Sequence, residues 1–471
     1  MTRITEQRRP TVTESVGPGQ HGYPFGITET DLDGVGYRAD EYLLSGVAVK
    51  YRPLGDEPLP ASGLWSVEPA GSAPYRTRIL VYRPIDRNRF NGTVVLHWNN
   101  VSAGYDLFFG DSSEILDGGY AFVALTTQRV GVHGLAGTSR GLVAWDEERY
   151  AELSIPTDDL SYDIFSQAAR AVGADRDRAV DPLGGLAVER VIAMGSSQSA
   201  SRLATYANAI HQLDAVVDGY LLMIYFGTAS RLNAGTDVLD IVNTPTPAPS
   251  PDQQRGQNRI RRDLEAPMLL VNSEVEALSY LPVRQPDTDH FRYWEVAGAS
   301  HVAREAINLR APVFERHFGQ AAPPVSDASE VSLLPVYDAA LRALHDWLTT
   351  GVPPRSQPTI EFRGNPPAIV RDEHGNACGG VRLPQVEVPI ATNGVSTSPT
   401  DFSAFLHGST VPFPMKTLQA LYGDIQTYLD QFESAAKRAC AAGVLLDRDV
   451  PELVTDGRRK FLEQLGRRPD R

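Results

Sequence analysis

The sequence has very few cysteines: Cys378 and Cys440 are the two in 471 residues. Two thiols cannot build a disulfide scaffold, and they cannot supply the four thiolates of a structural zinc site. A single bridge between them is chemically possible, but two reduced thiols with a structural role are expected in a cytosolic protein. The cysteine content therefore excludes the small disulfide-rich and zinc-stabilised classes of protein.

Long hydrophobic runs and an excess of positive charge are also missing. No segment approaches the ~18 consecutive apolar residues of a membrane span, and the N-terminus lacks the apolar region of a signal peptide. Lys and Arg number 44 against 58 Asp and Glu, which leaves a net charge of −14. A surface of this sign repels phosphate backbones and anionic lipids. We therefore expect a cytoplasmic protein that binds neither nucleic acid nor a membrane.

Motifs for metals and nucleotides are the third absence. The sequence contains no H-E-x-x-H pair, no P-loop and no EF-hand loop. Residues 17–22 spell G-x-G-x-x-G, but the pattern of a dinucleotide site requires a strand before it and a helix after it. The sequence predicts neither. No cofactor and no metal is therefore expected.

Short β-branched runs alternate with helical segments from about residue 40 onward. The predicted strands lie at 75–82, 92–97, 120–126, 187–194, 215–226, 268–272 and 291–296. Helical periodicity is clearest at 156–172, 198–213 and 336–348. This rhythm predicts an α/β fold with a mostly parallel central sheet and helices on both faces.

Composition divides the chain into an arm, a core with an insertion, and an extension. Residues 1–39 are expected to form an N-terminal arm on the surface, and residues 40–350 the core. Residues 227–266 carry a run of prolines and are interpreted as a lid-like insertion, because loops of this length are usually functional covers or disordered. Residues 351–471 have scattered apolar stripes that make a marginal independent core, so we expect this C-terminal extension to pack on the core.

A candidate nucleophile lies where the predicted strand at 187–194 passes directly into a helix. This strand–turn–helix context is that of the nucleophile elbow, usually written G-x-S-x-G. The strained serine of an elbow needs small residues two positions before and after it, and Gly195 and Ser199 satisfy this for Ser197. Ser196 would place a methionine at the crowded position. Ser199 replaces the usual glycine, and the alternative role of Ser197 is that of a helix N-cap.

A histidine and two carboxylates follow in the order that this type of site uses, serine, acid, histidine. His301 follows the strand at 291–296 after a short glycine turn, and an imidazole exchanges protons near neutral pH. Glu274 and Glu276 follow the preceding strand. Glu274 comes first and is the expected acid, with Glu276 left open as the alternative.

Two backbone amides are expected to stabilise negative charge beside the serine. One is the amide of Gln198, at a helix N-terminus where the helix dipole favours an anion. The other comes from the small-residue loop after the strand at 92–97, where Asn100 and Val101 are both candidates. Trp98 and Tyr105 lie in the same region and are candidate substrate contacts, with ordinary core packing as the alternative.

At this point the sequence resembles the α/β-hydrolase superfamily, and more narrowly a group of large bacterial proteins described as α/β-hydrolase domain proteins. The resemblance covers roughly residues 40–460 in patches. It is carried by HWNNVSAGYD (97–106), TTQRVGV (126–132), LSYDIFSQAARAV (160–172), MGSSQSASRL (194–203), LLVNSEVEAL (269–278), WEVAGASHV (294–302), CGGVRLPQVEVPIATNG (378–394) and LQALYGDIQTYL (418–429). It implies the α/β-hydrolase fold and hydrolysis of a small-molecule ester through Ser197, Glu274 and His301.

Two other functions stay open at the level of sequence. An acyltransferase or a lactone-forming cyclase would use the same acyl-enzyme with a different acceptor. A hydrolase fold that only binds a ligand would need none of the three residues, so their presence argues against it. The sequence does not indicate which ester or lactone is cleaved, nor the oligomeric state.

Overall fold

The fold is described from a computed structural model that covers residues 9–15, 17–55, 59–233, 257–325, 328–395 and 402–466. The chain forms two compact units, Met1–Met268 and Leu269–Arg471. Among the described residues, no helix has the length and apolar character needed to cross a membrane. The boundary between the units falls inside the segment that was expected to be one core.

The first unit is built on a seven-strand part of the sheet. Its strands are β1 (Thr11–Glu14), β2 (Tyr37–Pro53), β3 (Val67–Pro84), β4 (Thr93–Trp98), β5 (Ala121–Leu125), β6 (Arg190–Ser196) and β7 (Gly219–Met223). They lie side by side in the order β1-β2-β3-β5-β4-β6-β7. The pairs from β1 to β5 are antiparallel, and β5, β4, β6 and β7 are parallel.

The parallel strands explain the β-branched runs of the sequence. Every residue of β4 and β5 is buried, as expected for strands that are covered on both faces. The antiparallel part contains a long hairpin, of which the sequence predicted only the segment at 75–82 in β3. Its two strands, β2 and β3, have 17 and 18 residues and are paired from Tyr37 with Pro84 to Pro53 with Val67.

The helices of the first unit follow the strands. They are α1 (Ser113–Asp117), α2 (Arg129–His133), α3 (Leu142–Trp145), α4 (Glu147–Tyr150), α5 (Ser161–Val172) and α6 (Gln198–Thr205). The expected helix at 198–213 is shorter than predicted, because α6 ends at Thr205 and a π-helical turn, Tyr206–Ile210, continues it. α5 packs against β2 and β4, whereas α6 packs against β6 and β7.

The expected arm and insertion are only partly described. β1 pairs with β2, and Phe25 is buried, so these parts of residues 1–39 fold onto the first unit. Residues 234–256 of the expected lid lie outside the described residues. The segment that follows them is held by Asn258, whose backbone N–H donates to the carbonyl of Gly227 and whose side-chain oxygen accepts from Ala229.

The second unit contains the strands β8 to β13 and includes the C-terminal extension. Its strands are β8 (Met268–Ser273), β9 (Phe291–Val296), β10 (Phe362–Arg363), β11 (Ala368–Ile369), β12 (Ala391–Gly394) and β13 (Ser409–Pro412). Its helices are α7 (Glu274–Tyr280), α8 (Arg304–Phe318), α9 (Leu334–Thr350), α10 (Pro384–Glu387), α11 (Phe402–His407), α12 (Met415–Tyr422), α13 (Ile425–Ala442) and α14 (Val450–Gly466).

The C-terminal extension is interleaved with β9. Val381 and Val296 form a parallel bridge, and the N–H groups of Ala297 and Val381 donate to backbone carbonyls of the other segment. The backbone N–H of Ile360 also donates to Glu295 on β9, at 2.8 Å. The same part of the extension contains the helical turn α10. Cys378 and Cys440 form no disulfide.

A buried charge cluster braces the first unit. The Arg78 guanidinium, 1% exposed, lies 2.9 Å from Glu41 and 3.3 Å from Asp106. Glu41 also forms an ion pair with Arg149, at a distance of 2.7 Å. Burial raises the pKa of Glu41, but the two arginines outweigh it and hold that pKa below its ordinary value. The cluster therefore depends on its cations remaining in place.

We predict that Arg78→Met destabilises the first unit by about 3–5 kcal/mol, because it leaves buried carboxylates without their counter-charge. Arg52→Met is the matched control: it removes an ion pair with Glu68 between the same two strands, but Arg52 is 64% exposed, so the change stays below about 1 kcal/mol. Urea unfolding measures both. Equal midpoints for the two variants would contradict the assignment.

Candidate active site

Ser197 lies at the junction between β6 and α6 in a strained backbone conformation. Its φ is 56° and its ψ is −117°, values that a residue with a side chain rarely adopts and that cost on the order of 1–3 kcal/mol. Its N–H donates to the carbonyl of Met223 at 2.9 Å. Because the strand turns into a helix at this one residue, the serine has the strand–turn–helix geometry of a nucleophile elbow.

The residues two positions away make that geometry possible. A Cβ on Gly195 would lie 3.0–3.1 Å from Leu203 Cδ1 and from the backbone of Ser199, so the strand and the helix approach too closely for a larger residue. Ser199 Oγ forms two hydrogen bonds of 2.9 Å, accepting from the N–H and donating to the carbonyl of Ser196. Its hydroxyl is thus committed to the backbone, which favours Ser197 as the reactive serine.

Two backbone N–H groups near this junction have no partner among the described residues: those of Gln198 and Val101. The Gln198 amide is one of the first N–H groups of a helix, which have no intrahelical acceptor. Of the two loop residues that were expected as alternatives, Asn100 is engaged, because its N–H donates to the carbonyl of Leu107 at 3.0 Å. The geometry therefore favours Val101 as the second donor.

Asn100 has a different contact with the elbow. Its side-chain Nδ2 donates to the carbonyl of Ser196 at 3.0 Å, and its Oδ1 accepts from the N–H of Ser102 at 2.8 Å. These bonds join the loop after β4 to the residue before Ser197. Asn100 thus ties together the two segments that carry the unpaired amides.

A buried polar network supports the same segments from behind. The Gln128 Oε1 accepts from the indole of Trp98 at 3.1 Å and from the side chain of Gln198 at 2.9 Å. The Gln128 amide donates to Asp158 at 2.9 Å, and Asp158 lies 3.2 Å from Arg202 on α6. All five side chains are buried. The strand that leads to Val101 and the helix that presents Gln198 therefore share one rigid support.

The two candidate substrate contacts occupy different surroundings. The Trp98 side chain is fully buried and stacks on Phe165, with ring centroids 5.1 Å apart. This position is that of a core residue. Tyr105 is half-buried and meets Phe25 edge to face at 6.0 Å. Of the two, Tyr105 is the more accessible.

In the second unit, His301 pairs with Glu276. The Nδ1 of His301 lies 2.7 Å from Glu276 Oε1, and Glu276 is fully buried. The other carboxylate oxygen accepts from the backbone N–H of Ser273 at 2.9 Å and from its hydroxyl at 2.5 Å. Since one oxygen is fixed by the start of α7, the second is held at a defined position for the imidazole.

Glu274, the expected partner of His301, points elsewhere. Its Oε2 accepts from the backbone N–H of Gly298 at 2.7 Å, and its Oε1 lies 2.5 Å from Arg371. The expected contact between Glu274 and His301 is therefore wrong, for a simple reason. Residues that are two apart on a helix do not share a face, and the capping bonds of α7 turn Glu276 toward the histidine.

The sequence did contain a signal for Glu276. Ser273 and Glu276 have the S-x-x-E spacing of a capping box, in which the glutamate side chain returns to the helix start. The supporting residues Gln128, Asp158 and Arg202 carry no such local signal, because their contacts join segments that are far apart in sequence.

The chain matches the family described as "Alpha/beta hydrolase domain" over residues 8–455, and it belongs to that family. The fold class is the one that the strand–helix rhythm predicted, a large, mostly parallel central sheet with helices. No curated protein sequence matches the chain.

Solved esterase structures show distant similarity. Esterase Est22 is 12% identical, with a TM-score of 0.25 over 48% of this chain and 64% of its own, so the chain spans less than two thirds of that relative. Acetyl xylan esterase 1 from Thermoanaerobacterium sp. JW/SL YS485 is 12% identical, with a TM-score of 0.25 over 52% of this chain and 80% of its own. Esterase B from Lactobacillus rhamnosis is 13% identical, with a TM-score of 0.29 over 58% and 81%. Similarity at this level carries no argument about substrate.

We predict that Asn100→Ala slows the reaction of Ser197 with a fluorophosphonate up to about 100-fold, because a donor misplaced by about 1 Å loses that much. The phosphonyl oxygen would occupy the position between the two amides. The rate of labelling, followed by intact-protein mass spectrometry, checks this. Ser102→Ala, in the same loop, is the control and should label at the parent rate; a parent-like rate for Asn100→Ala would refute the tether.

Proposed function

We propose that the protein is a serine hydrolase that cleaves a carboxylic ester or lactone of a small molecule through an acyl-enzyme intermediate. The observation that carries this proposal is the strained backbone of Ser197 beside the unpaired amides of Gln198 and Val101. Strain at a non-glycine residue persists where it serves a function. Unpaired N–H donors near a hydroxyl favour the oxyanion of acyl transfer.

The proposed triad is Ser197, His301 and Glu276. Because Glu276 accepts a hydrogen bond from Nδ1, the neutral imidazole carries its lone pair on Nε2, as a general base requires. His301 takes the proton of Ser197 as Oγ attacks the carbonyl carbon. The amides of Gln198 and Val101 donate to the oxygen that becomes negative. The imidazolium then protonates the leaving alcohol as the ester C–O bond breaks.

The second half of the reaction repeats these steps with water. His301 removes a proton from a water molecule, whose oxygen attacks the acyl-enzyme carbonyl. Collapse of the second tetrahedral intermediate releases the carboxylic acid and returns the proton to Ser197. Glu276 stays ionised throughout and stabilises the imidazolium. Its burial and its bonds to Ser273 support this role, since they hold the carboxylate without further reorganisation.

Ser197→Ala should lower the turnover of simple esters by on the order of 10⁶-fold, as removal of a triad nucleophile does, and should abolish labelling by a fluorophosphonate. Ser196→Ala is the matched control one residue away, and it should keep both. Peptide mapping of the labelled parent identifies the modified serine. A label on any other serine would reject the proposed nucleophile.

Glu276→Gln should lower kcat by about 10⁴-fold, because a neutral amide no longer selects the tautomer with the lone pair on Nε2. Glu274→Gln, an identical change two residues earlier, should cost far less, since Glu274 contacts Gly298 rather than the imidazole. Steady-state kinetics of both variants decide between the two carboxylates. A larger loss in Glu274→Gln would reverse the assignment.

Product analysis distinguishes hydrolysis from acyl transfer. With an ester substrate in water that contains a competing alcohol, a hydrolase yields mainly the free acid. A new ester as the main product would instead identify the protein as an acyltransferase that uses the same acyl-enzyme. A series of ester chain lengths in the same assay would define the size of the acyl group.

A further inference from the structure

The turn that carries His301 is enclosed by the C-terminal extension. Gly298 follows β9 with a φ of 73°. A Cβ on this glycine would lie 2.8 Å from Val386 Cγ2 and 3.1 Å from Asn393 Cβ, two residues of the extension. The backbone N–H of Val302 donates to the carbonyl of Leu406, also in the extension. The position of the turn is therefore defined partly by residues that follow the core.

Glu274 is the anchor of this turn. Its side-chain Oε2 accepts from the Gly298 N–H at 2.7 Å, and its own N–H donates to the carbonyl of Ala299 at 3.2 Å. The side chain is 1% exposed. A charged acceptor makes the stronger hydrogen bond to an amide, so the grip on Gly298 depends on Glu274 being ionised.

The charge of this buried carboxylate is supported from the extension. Burial raises the pKa of Glu274, and the Arg371 guanidinium and the N–H groups of Gly298 and Val395 oppose that rise. Arg371 Nη2 lies 2.5 Å from Glu274 Oε1 as an ion pair rather than an aligned hydrogen bond, and its side chain is 30% exposed. In the described part of the chain, it is the cation that Glu274 contacts.

The other titratable groups on the elements packed around Glu274 have partners of their own. Glu276, on the same helix, pairs with His301 on the turn. Asp372, next to Arg371 in the extension, pairs with Arg382 at 2.8 Å. Among the charged groups around Glu274, Arg371 is therefore the one that opposes the effect of burial on its pKa.

We infer that Arg371 is a positioning residue for His301, because its ion pair with Glu274 maintains the anchor of the Gly298 turn. This inference rests on the proposed role of His301 as the general base. It assigns a function to the C-terminal extension, because Arg371 of the extension supplies the counter-charge for the buried carboxylate of Glu274 in the core. In this role Arg371 acts on His301 through Glu274.

The test is ester hydrolysis by Arg371→Met, Arg371→Lys and Glu274→Gln between pH 5.5 and 9. Arg371→Met should lower kcat by about 10- to 100-fold with KM unchanged, as expected when a catalytic group is misplaced by about 1 Å. The loss should deepen as the pH falls, because Glu274 without its cation takes up a proton at higher pH than in the parent. Arg371→Lys keeps the charge and should recover most of the activity.

Glu274→Gln tests the carboxylate through which Arg371 is inferred to act. It removes the charge at every pH, so its ratio to the parent should stay constant wherever the parent Glu274 is ionised. Combining it with Arg371→Met should add no further loss, because both changes act through one carboxylate. Additive losses would overturn the inference. If Arg371→Met fails to fold, Glu274→Gln alone still tests the anchor, because it removes the same carboxylate charge.

Arg448→Met is the matched control. Arg448 is 29% exposed, belongs to the same extension and pairs with Asp338 on α9, so its loss loosens the extension without touching Glu274. It should leave kcat and the pH profile unchanged. Parent-like kinetics of Arg371→Met, or equal effects of the two arginine variants, would overturn the inference. An active His301→Ala variant would contradict the proposed function itself. An inactive His301→Ala variant together with parent-like kinetics of Arg371→Met would contradict only the inference about Arg371.

Discussion

The constraint on which the rest of the site depends is the passage from strand to helix within a single residue, Ser197. This passage forces a positive φ on a residue with a side chain and brings β6 against α6 at Gly195. A conformation of this kind persists only when its surroundings determine it. Here the hydroxyl of Ser199 closes on the backbone of Ser196, and Asn100 holds the same peptide from the other side. These contacts fix the N-terminus of α6, where the amide of Gln198 has no acceptor among the described residues.

Ion pairs between an arginine and a buried carboxylate support two segments of the protein. Asp158 and Arg202 stand behind the elbow, and Glu274 and Arg371 stand behind the histidine turn. In both pairs the carboxylate also accepts from a backbone N–H, of Arg129 or of Gly298. Such pairs contribute little net stability, since desolvation offsets the attraction. Their effect is on position, because a carboxylate that bonds a loop amide fixes that loop only while its charge is balanced.

Features that depend on contacts between residues close in sequence could be predicted, whereas features that depend on distant residues could not. Steric rules within five residues singled out Ser197, and β-branched runs located the strands of the parallel sheet. The preference for Glu274 over Glu276 as the partner of His301 followed chain order, whereas the side-chain directions are set by the capping box of α7, and Glu276 makes the contact. β2 and the first part of β3 were missed because their stability comes from pairing across the sheet rather than from local periodicity. Gln128 and Arg371 could not be found, since their partners are 30 and 97 positions away.

The C-terminal extension also depends on contacts between residues that are far apart in sequence. Part of its backbone completes elements that precede it in the chain. Val381 bridges to Val296 on β9, and Ile360 donates to a buried glutamate of that strand. Apolar residues of the extension around Tyr428 and Phe432 form a buried cluster. The family match continues to residue 455, which is expected if the chain after α9 is a constituent of the hydrolase fold in this family. A segment that supplies both a neighbour for β9 and a counter-charge for Glu274 belongs to the compact unit that carries His301.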